Sequence, residues 1–366
     1  MMYEPLDPAE FGFGDRAKPA LDSDDLASLS EALHSARRSA FLFYAPARVD
    51  VAQPAPALPV TVLVAGEAPL ALPFVRYGAL IVTLIDSRTT FAARWSPWRE
   101  AEANPSPPTP DDSGEVTLAD GSVLSLAPEP AFESTHGTAD LVERIEALPW
   151  RPGRWLVQLV VGPFASPKLT VELDAEAFRD DPAVEAFLAS RATIPNDLPV
   201  QSDNVPTMWL DAQRVPPALA AITAPRVGVT AMLSEVAFAA RDEVVALAFG
   251  FTLPLLTHEL RQWPGQPQNP NLPVAVVPLT VVIVGEVLVD PICLRLDVPV
   301  FSRIEGEDGA AVGQAVYAVN LNALEHMPVA AGRYVLRVVA GAFQSEALSL
   351  TLVPENLRPV APPSAG

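Results

Sequence analysis

The sequence predicts a mainly β protein made of two tandem antiparallel β-sandwich domains with short peripheral helices. Its 366 residues exceed the usual size of one domain. Its 40 prolines favour short strands joined by rigid loops, because proline neither donates a backbone hydrogen bond nor continues a helix. The stretch GRWLVQLVVGPF at 153–164 returns as GRYVLRVVAGAF at 332–343, which indicates that a strand and its turn are used twice.

The repetition extends along both halves of the chain in the same order. Five pairs of segments match: 29–37 with 233–241, 59–67 with 278–286, 139–149 with 318–328, 153–164 with 332–343, and 169–173 with 348–352. A single match is easily produced by chance, whereas five collinear matches predict an internal duplication. With only two copies, a tandem domain pair is expected rather than a solenoid.

The expected domain boundaries follow from these matches and from the segments that interrupt them. The first copy carries extra residues at about 99–138, and the second carries extra residues at about 255–273. The predicted organisation is an N-terminal extension at 1–20, a first sandwich at 21–175, a connection with a short helix at 176–226, a second sandwich at 227–355 and a flexible tail at 356–366.

Alternation along the repeated strands identifies their buried faces. Trp155 and Val157 share one face of the first strand, and Tyr334 and Leu336 take the same places in the second. The strand that follows alternates leucine or valine with polar residues in both copies, as half-buried strands do. A closing strand that begins G-R-W/Y, followed by an alternating strand, resembles the end of immunoglobulin-like and fibronectin-like domains. The paired cysteines of antibody domains are missing, because Cys293 is the only cysteine.

Further elements are predicted from local patterns. Acidic residues at the start and arginines at the end predict a helix over 23–38. An Asp-Pro start predicts a second helix over 181–191. VTLADGSVLSL is typical of a hairpin, with Asp120-Gly121 as its tight turn. Other strands are expected at 40–45, 80–86, 244–253, 292–301 and 314–321.

The charge of the protein excludes several classes of partner. The net charge is −20, and no basic cluster interrupts it, so nucleic acids and anionic membranes would be repelled. Only Lys18 and Lys168 are lysines among the 24 basic residues, a bias typical of a GC-rich bacterial genome. The chain shows no secretion signal and no apolar run of about 18 residues, so we expect a cytoplasmic protein, with leaderless export as the alternative.

The polar residues predict no catalytic site, no metal site and no cofactor. The four histidines, His34, His136, His258 and His326, do not recur between the copies and do not pair at metal-ligand spacing. Sequence motifs of nucleotide-binding proteins, serine hydrolases and zinc proteases are absent. Cys293 lies in an apolar run and is expected in the core. An enzyme is therefore the least favoured class of function.

Tryptophans mark the places where the two copies differ. The candidate binding residues there are Trp95, Trp98, His258, Arg261 and Trp263. Exposed tryptophans stack on sugars or anchor protein partners, but the simpler alternative is that these rings cover the sandwich edge. We expect a non-enzymatic structural or interaction protein that binds protein partners, or copies of itself, through loops and strand edges. A binding module for carbohydrate or another small ligand is the alternative.

Overall fold

The computed structural model confirms that the protein is mainly β and sandwich-like. Each half of the chain folds its strands around its own apolar core. The residues that the structure describes are 3–50, 57–67, 70, 72–95, 114–117, 123–126, 132–145, 148, 152–174, 210, 215–256, 259, 274–305, 310–324, 326–328 and 330–357.

The first half forms a sandwich of two sheets. Its elements are β1 (Glu4–Leu6), α1 (Ser23–Ser35), β2 (Ala40–Tyr44), β3 (Arg48–Asp50), β4 (Pro59–Glu67), α2 (Leu72–Tyr77), β5 (Gly78–Leu84), β6 (Thr89–Arg94), β7 (Gly114–Thr117), β8 (Val123–Leu126), β9 (Phe132–Asp140), α3 (Leu141–Arg144), β10 (Gly153–Val161), β11 (Phe164–Ala165) and β12 (Leu169–Asp174). One sheet has the order β1-β2-β4-β9, and the other has the order β3-β12-β10-β5-β6, with β11 beside β10. Trp155, Val157 and Val171 face the core between these sheets, as their alternation predicts.

Helix α1 covers the outer face of the four-stranded sheet. The Asp22 carboxylate caps its first turn by accepting backbone N–H groups at the second and third helical positions. Leu26, Leu29 and Leu33 follow at helical spacing and are buried against this sheet. Strand β1 pairs in parallel with β2, so part of the predicted extension at 1–20 belongs to the first sandwich.

The second half forms one large sheet that folds over its own core. Its strands are β13 (Gly228–Leu233), β14 (Val236–Phe238), β15 (Ala246–Pro254), β16 (Val274–Gly285), β17 (Ile292–Glu305), β18 (Ala310–Asn320), β19 (Gly332–Ala340), β20 (Phe343–Gln344) and β21 (Leu348–Val353). Their order is β13-β15-β18-β17-β16-β19-β21-β14, with β20 beside β19.

Long strands carry this sheet from one layer of the sandwich to the other. Strand β17 pairs with β16 as far as Phe301 and with β18 from Phe301 onwards. Pro278 and Pro299 lie where their strands have a ladder partner on one side only. Proline is tolerated there because no second row of backbone hydrogen bonds requires its missing N–H group.

The two halves share an order of strand pairing. In the first half five strands pair in the order β3-β12-β10-β5-β6. In the second half the strands β14-β21-β19-β16-β17, which are part of the larger sheet, pair in the corresponding order along the chain. By this order β4 corresponds to β15, and β5 corresponds to β16. The sequence match of 59–67 with 278–286 therefore joins strands that lie in different layers, because both are central apolar strands that look alike in sequence.

A half-buried side-chain cap also recurs in the two halves. The Asp140 carboxylate accepts the Leu58 N–H at 3.0 Å, and the Asn320 side-chain oxygen accepts the Val245 N–H at 3.0 Å. Each oxygen also accepts the N–H two residues further along, at the start of a short helical turn. These caps join the end of β9 or β18 to the segment that precedes β4 or β15.

Most predicted elements coincide with observed ones within a few residues. The predicted strands correspond to β2, β5, β15, β17 and β18, and the predicted hairpin corresponds to the paired strands β7 and β8. The helix predicted over 23–38 ends at Ser35, and Arg37 beyond it takes a left-handed φ of 46°. The helix predicted over 181–191 lies outside the described residues.

Replacing Asp140 or Asn320 by alanine should lower the free energy of unfolding by about 1 to 3 kcal/mol, because each oxygen satisfies two backbone N–H groups. Urea unfolding followed by circular dichroism measures this change. Asn356→Ala, at an exposed position, is the control and should change the free energy by less than about 0.5 kcal/mol. Equal midpoints for all three variants would contradict the role of these caps.

Candidate functional site

The two sandwiches pack against each other through the outer face of the β3-β12-β10-β5-β6 sheet and the outer face of the matching part of the second sheet, β14-β21-β19-β16-β17. Strands β5 and β10 supply one face, and β16 and β19 supply the other. The fully buried side chains of this interface are Ala79, Ile81, Val160, Val282, Val284 and Val339. These strands are thus covered on both faces, and their outer faces combine the apolar residues of this cluster with the buried polar side chains of Gln158 and Arg337.

A buried ion pair crosses this interface. Arg88, in the turn between β5 and β6, donates from Nε to Glu259 Oε1 at 2.6 Å and from Nη2 to the Pro254 carbonyl. The side chains of Arg88 and Glu259 are 6% and 1% exposed. Glu259 also accepts the Leu256 N–H at 2.7 Å. Losing either partner would leave a buried charge uncompensated, so the pair fixes how the two halves meet.

The backbone on both sides is shaped for this ion pair. Arg88 takes a left-handed φ of 53°, which is uncommon for a residue with a side chain. Gly341 of the other half has a φ of 60°, and a Cβ added there would lie 3.1 Å from the Arg88 Cγ and Nη1 atoms. A larger residue at 341 would be strained and would also crowd the guanidinium group.

Two further side chains tie the first half to the turn between β16 and β17. Arg94 donates from Nη1 to the carbonyls of Leu288 and Val289, at 2.6 and 2.9 Å. Tyr77, the last residue of α2, donates its hydroxyl to the Glu286 carboxylate. Helix α2 and the end of β6 are therefore held directly against the second sandwich.

Each half also reaches the turn that follows the repeated strand of the other. Arg337 of β19 donates from Nη2 to the Pro163 carbonyl at 2.7 Å, and Lys168 donates from Nζ to the Ala342 carbonyl at 2.5 Å. Burial is the main cause that lowers the pKa of both cations. Positions 163 and 342 match in the repeated stretch, so the contacts are reciprocal.

The single cysteine lies in this interface. Cys293 packs beside the apolar cluster and next to Ala92. Burial raises the pKa of the Cys293 thiol to about 12. The thiol therefore stays protonated at neutral pH and does not supply the thiolate that a nucleophile needs.

An aromatic cavity of about 190 Å³ lies at the border of the interface, between α2 and the turn after β10. Its inner wall contains the buried rings of Tyr3, Phe41 and Phe74. Its outer wall contains the half-buried rings of Tyr77 and Phe164. Tyr77 thus belongs both to the cavity and to the contact with the second sandwich.

Both tyrosines of the cavity are held in the neutral form. Burial raises the pKa of Tyr3 to about 12, and the nearby Glu67 carboxylate adds to the shift. Burial likewise raises the pKa of Tyr77 to about 12, and its hydrogen bond to Glu286 adds to it. The hydroxyls of these two tyrosines therefore stay uncharged over the whole physiological range of pH.

Trp95 is the only predicted binding residue among those that the structure describes, and it is buried. Its side chain is 1% exposed in the first core, and its backbone N–H donates to the Gly78 carbonyl at 3.0 Å. The burial of this ring favours the alternative that Trp95 packs over the core of the sandwich rather than binding a ligand. The other predicted site residues lie outside the described part of the chain: Trp98, His258, Arg261 and Trp263.

Sequence reasoning missed the residues that hold the interface. Arg88 lies in a turn between two strands, where an arginine is ordinarily solvated, and no periodic pattern marks its partner Glu259. One indirect signal exists, since Glu259 lies in the 255–273 segment where the two copies differ. No sequence pattern marks Tyr77 as an interface residue, because its hydrogen-bond partner Glu286 lies in a turn of the other half.

Neither a search for metal-binding clusters and membrane-spanning helices nor a comparison with known proteins indicates a function. Within the described ranges, no three side chains of His, Cys, Asp or Glu gather as a metal site. No helix among those residues is long and apolar enough to cross a membrane. No protein-family model matches the sequence, and no curated protein matches it.

Glu259→Ala should lower the free energy of unfolding by about 3 to 5 kcal/mol, because it leaves Arg88 buried without its counter-charge. It should also speed the alkylation of Cys293 in native buffer, since the thiol lies in the same interface. Labelling with iodoacetamide, read by mass spectrometry, measures this rate. In the wild type the rate should rise about tenfold per pH unit from pH 8 to 10, as the thiolate fraction does below a pKa of about 12.

Asp297→Ala is the control, because Asp297 forms a more exposed pair with Arg295 and should cost no more than about 1 kcal/mol. The double variant Arg88→Met and Glu259→Met should regain most of the lost stability, since neither charge then remains. If Glu259→Ala and Asp297→Ala have the same effect, the ion pair does not hold the interface.

Proposed function

We propose that the protein is a non-enzymatic interaction protein in which two immunoglobulin-like sandwiches, related by duplication, form one unit and bind another polypeptide at a free sheet edge. The observation that carries the proposal is the edge of β13, which has a ladder partner on one side only among the described residues. The partner is a protein that contributes an extended segment, or a second copy of this chain.

Several contacts support the immunoglobulin-like assignment. Strands β3 and β14 pair in parallel with the last strand of their own half, and the order of the five-stranded sheets fits the front sheet of a variable-type domain. Tyr334, near the start of β19, donates its hydroxyl to the Ala330 carbonyl at 2.6 Å. This bond to the backbone four residues upstream is similar to the tyrosine corner of such sandwiches.

The edge of β13 offers backbone groups for strand addition. Among the described residues, β13 has a ladder partner on one side only, which is β15. The Ser234 N–H donates to the Ala246 carbonyl, and backbone groups alternate in direction along an antiparallel strand. The N–H and C=O groups of Val229 and Ala231 therefore point away from β15. The strand sequence, GVTAML, contains none of the prolines or charges that normally block an edge.

The first half supplies a precedent for this addition. Strand β1 pairs in parallel with β2, which places Glu4 opposite Ala40 and Leu6 opposite Leu42. In the order of paired strands, β2 of the first half corresponds to β13 of the second half, because β2 pairs with β4 as β13 pairs with β15. An extended segment of a partner at β13 would complete the second sandwich as β1 completes the first.

The charge of the chain favours certain partners. A net charge of −20 opposes an acidic segment, so a neutral or basic one is favoured. The bias of the basic residues toward arginine favours a bacterial source. The alternative of a carbohydrate or small-ligand module stays a prediction that rests on Trp98 and Trp263.

The double variant Thr230→Lys and Met232→Lys should abolish binding of the partner or self-association. Both side chains point away from the core, and Met232 is 38% exposed, so the pairing of β13 with β15 is preserved while two charges oppose an added strand. A pull-down from an extract of the source organism measures partner binding. Light scattering over a concentration series measures self-association.

The matched control is Val289→Lys and Leu357→Lys, which adds the same charge at exposed apolar positions away from β13. It should bind as the wild type does. A wild-type protein that remains a monomer and retains no partner would contradict the proposed function. Equal binding by the edge variant and the control would contradict the role of β13.

A further inference from the structure

We propose that the aromatic cavity beside α2 is a binding site for one small, neutral, apolar molecule of the size of a single aromatic ring. The inference does not depend on the proposed edge of β13. It rests on the volume of the cavity, on the chemistry of its walls and on an accessible route from solvent.

The volume of the cavity matches a small organic molecule. It measures about 190 Å³. An apolar cavity of about 150 Å³ remains dry when empty and binds benzene. Natural protein interiors are close-packed, and a void of this size costs stability because its lining atoms lack contact partners. The cavity therefore has room for one six-membered ring with one or two further atoms.

The inner wall is formed before any ligand binds. The Phe74 ring packs edge-on against Tyr3 at 6.0 Å and against Phe41 at 5.5 Å between ring centroids. Helix α2, which carries Phe74, passes directly into β5 at Gly78. A Cβ at Gly78 would lie 2.2 Å from the Phe74 carbonyl oxygen, so this close approach fixes the helix over the cavity. The free-energy cost of ordering these rings on ligand binding is therefore small.

The lining selects for a neutral molecule. Among the residues that the structure describes, no side chain with a formal charge lines the cavity. The tyrosine hydroxyls stay protonated, and that of Tyr77 is already engaged with Glu286. A charged ligand would lose its hydration without gaining a counter-charge. An aromatic ligand can instead make edge-on or offset contacts with the buried rings of Tyr3, Phe41 and Phe74.

A route from solvent lies between α2 and the turn after β10. Pro163 in this turn is exposed, and Pro73, Tyr77 and Phe164 on the two sides are half-buried. Small movements of the Phe164 ring would admit a ligand without opening either sandwich. The matching Phe343 of the second half lies 3.6 Å from the position of a Cβ on Gly228, so there the ring packs against β13.

Titration of the full-length protein with toluene and with p-xylene tests the proposal, using ligand-detected NMR and thermal unfolding. We expect saturable binding with a Kd on the order of 0.1 to 1 mM, because the ligand has few atoms. Benzoate, which has a similar size and a negative charge, should bind at least tenfold more weakly. Anthracene is too large and should not bind.

Two variants at Val161, a buried residue of the cavity wall, localise the binding. Val161→Phe fills the cavity and should abolish binding, whereas Val161→Ala enlarges it and should retain binding. Val316→Phe adds a ring at an exposed position on β18 and should bind as the wild type does.

The absence of saturable binding by the wild-type protein would overturn the proposal, and so would unchanged binding by a folded Val161→Phe. If Val161→Phe does not fold, the Val161→Ala variant decides, because a larger cavity must accept a larger ring such as naphthalene better than the wild type does. An unchanged preference between toluene and naphthalene in Val161→Ala would also overturn it.

Discussion

The structure depends on the apolar contact between the outer face of the β3-β12-β10-β5-β6 sheet and the outer face of the β14-β21-β19-β16-β17 part of the second sheet. In an isolated sandwich such a face is solvated and its strands alternate between polar and apolar residues. Here Ile81 and Val160 of the first half meet Val282 and Val339 of the second, and all four side chains are buried. The two sandwiches therefore share a hydrophobic layer, and we expect them to behave as one folded unit rather than as domains on a tether.

Polar residues give this contact a single geometry. Apolar surfaces slide easily over one another, but Arg88 and Glu259 satisfy each other only in one arrangement. The hydrogen bonds of Arg337 to the Pro163 carbonyl and of Lys168 to the Ala342 carbonyl also fix the relative position of the two halves. The same arrangement fixes helix α2 over the aromatic cavity. Tyr77 at the end of α2 is hydrogen-bonded to Glu286 of the second half, and Phe74 within α2 packs against the buried ring of Phe41.

Local physical patterns predict much of the fold but little of the site. Alternation at Trp155 and Tyr334 correctly identifies core strands, and the acidic start of α1 correctly predicts a capped helix, because both depend on neighbours in sequence. The match of 59–67 with 278–286 is misleading, since strands buried on both faces carry no register information. The pairing of Arg88 with Glu259 spans 171 positions, and no local pattern encodes it.

Controlled cleavage between the halves tests most directly whether the interface joins them. A protease site placed within 176–209 would allow the chain to be cut after folding, and light scattering with size-exclusion chromatography would follow the products. We expect the two fragments to elute together with the mass of the intact chain, 39.0 kDa, until denaturant is added. Fragments that separate in native buffer would show that the chain connection, and not the shared apolar layer with its buried ion pair, holds the halves together.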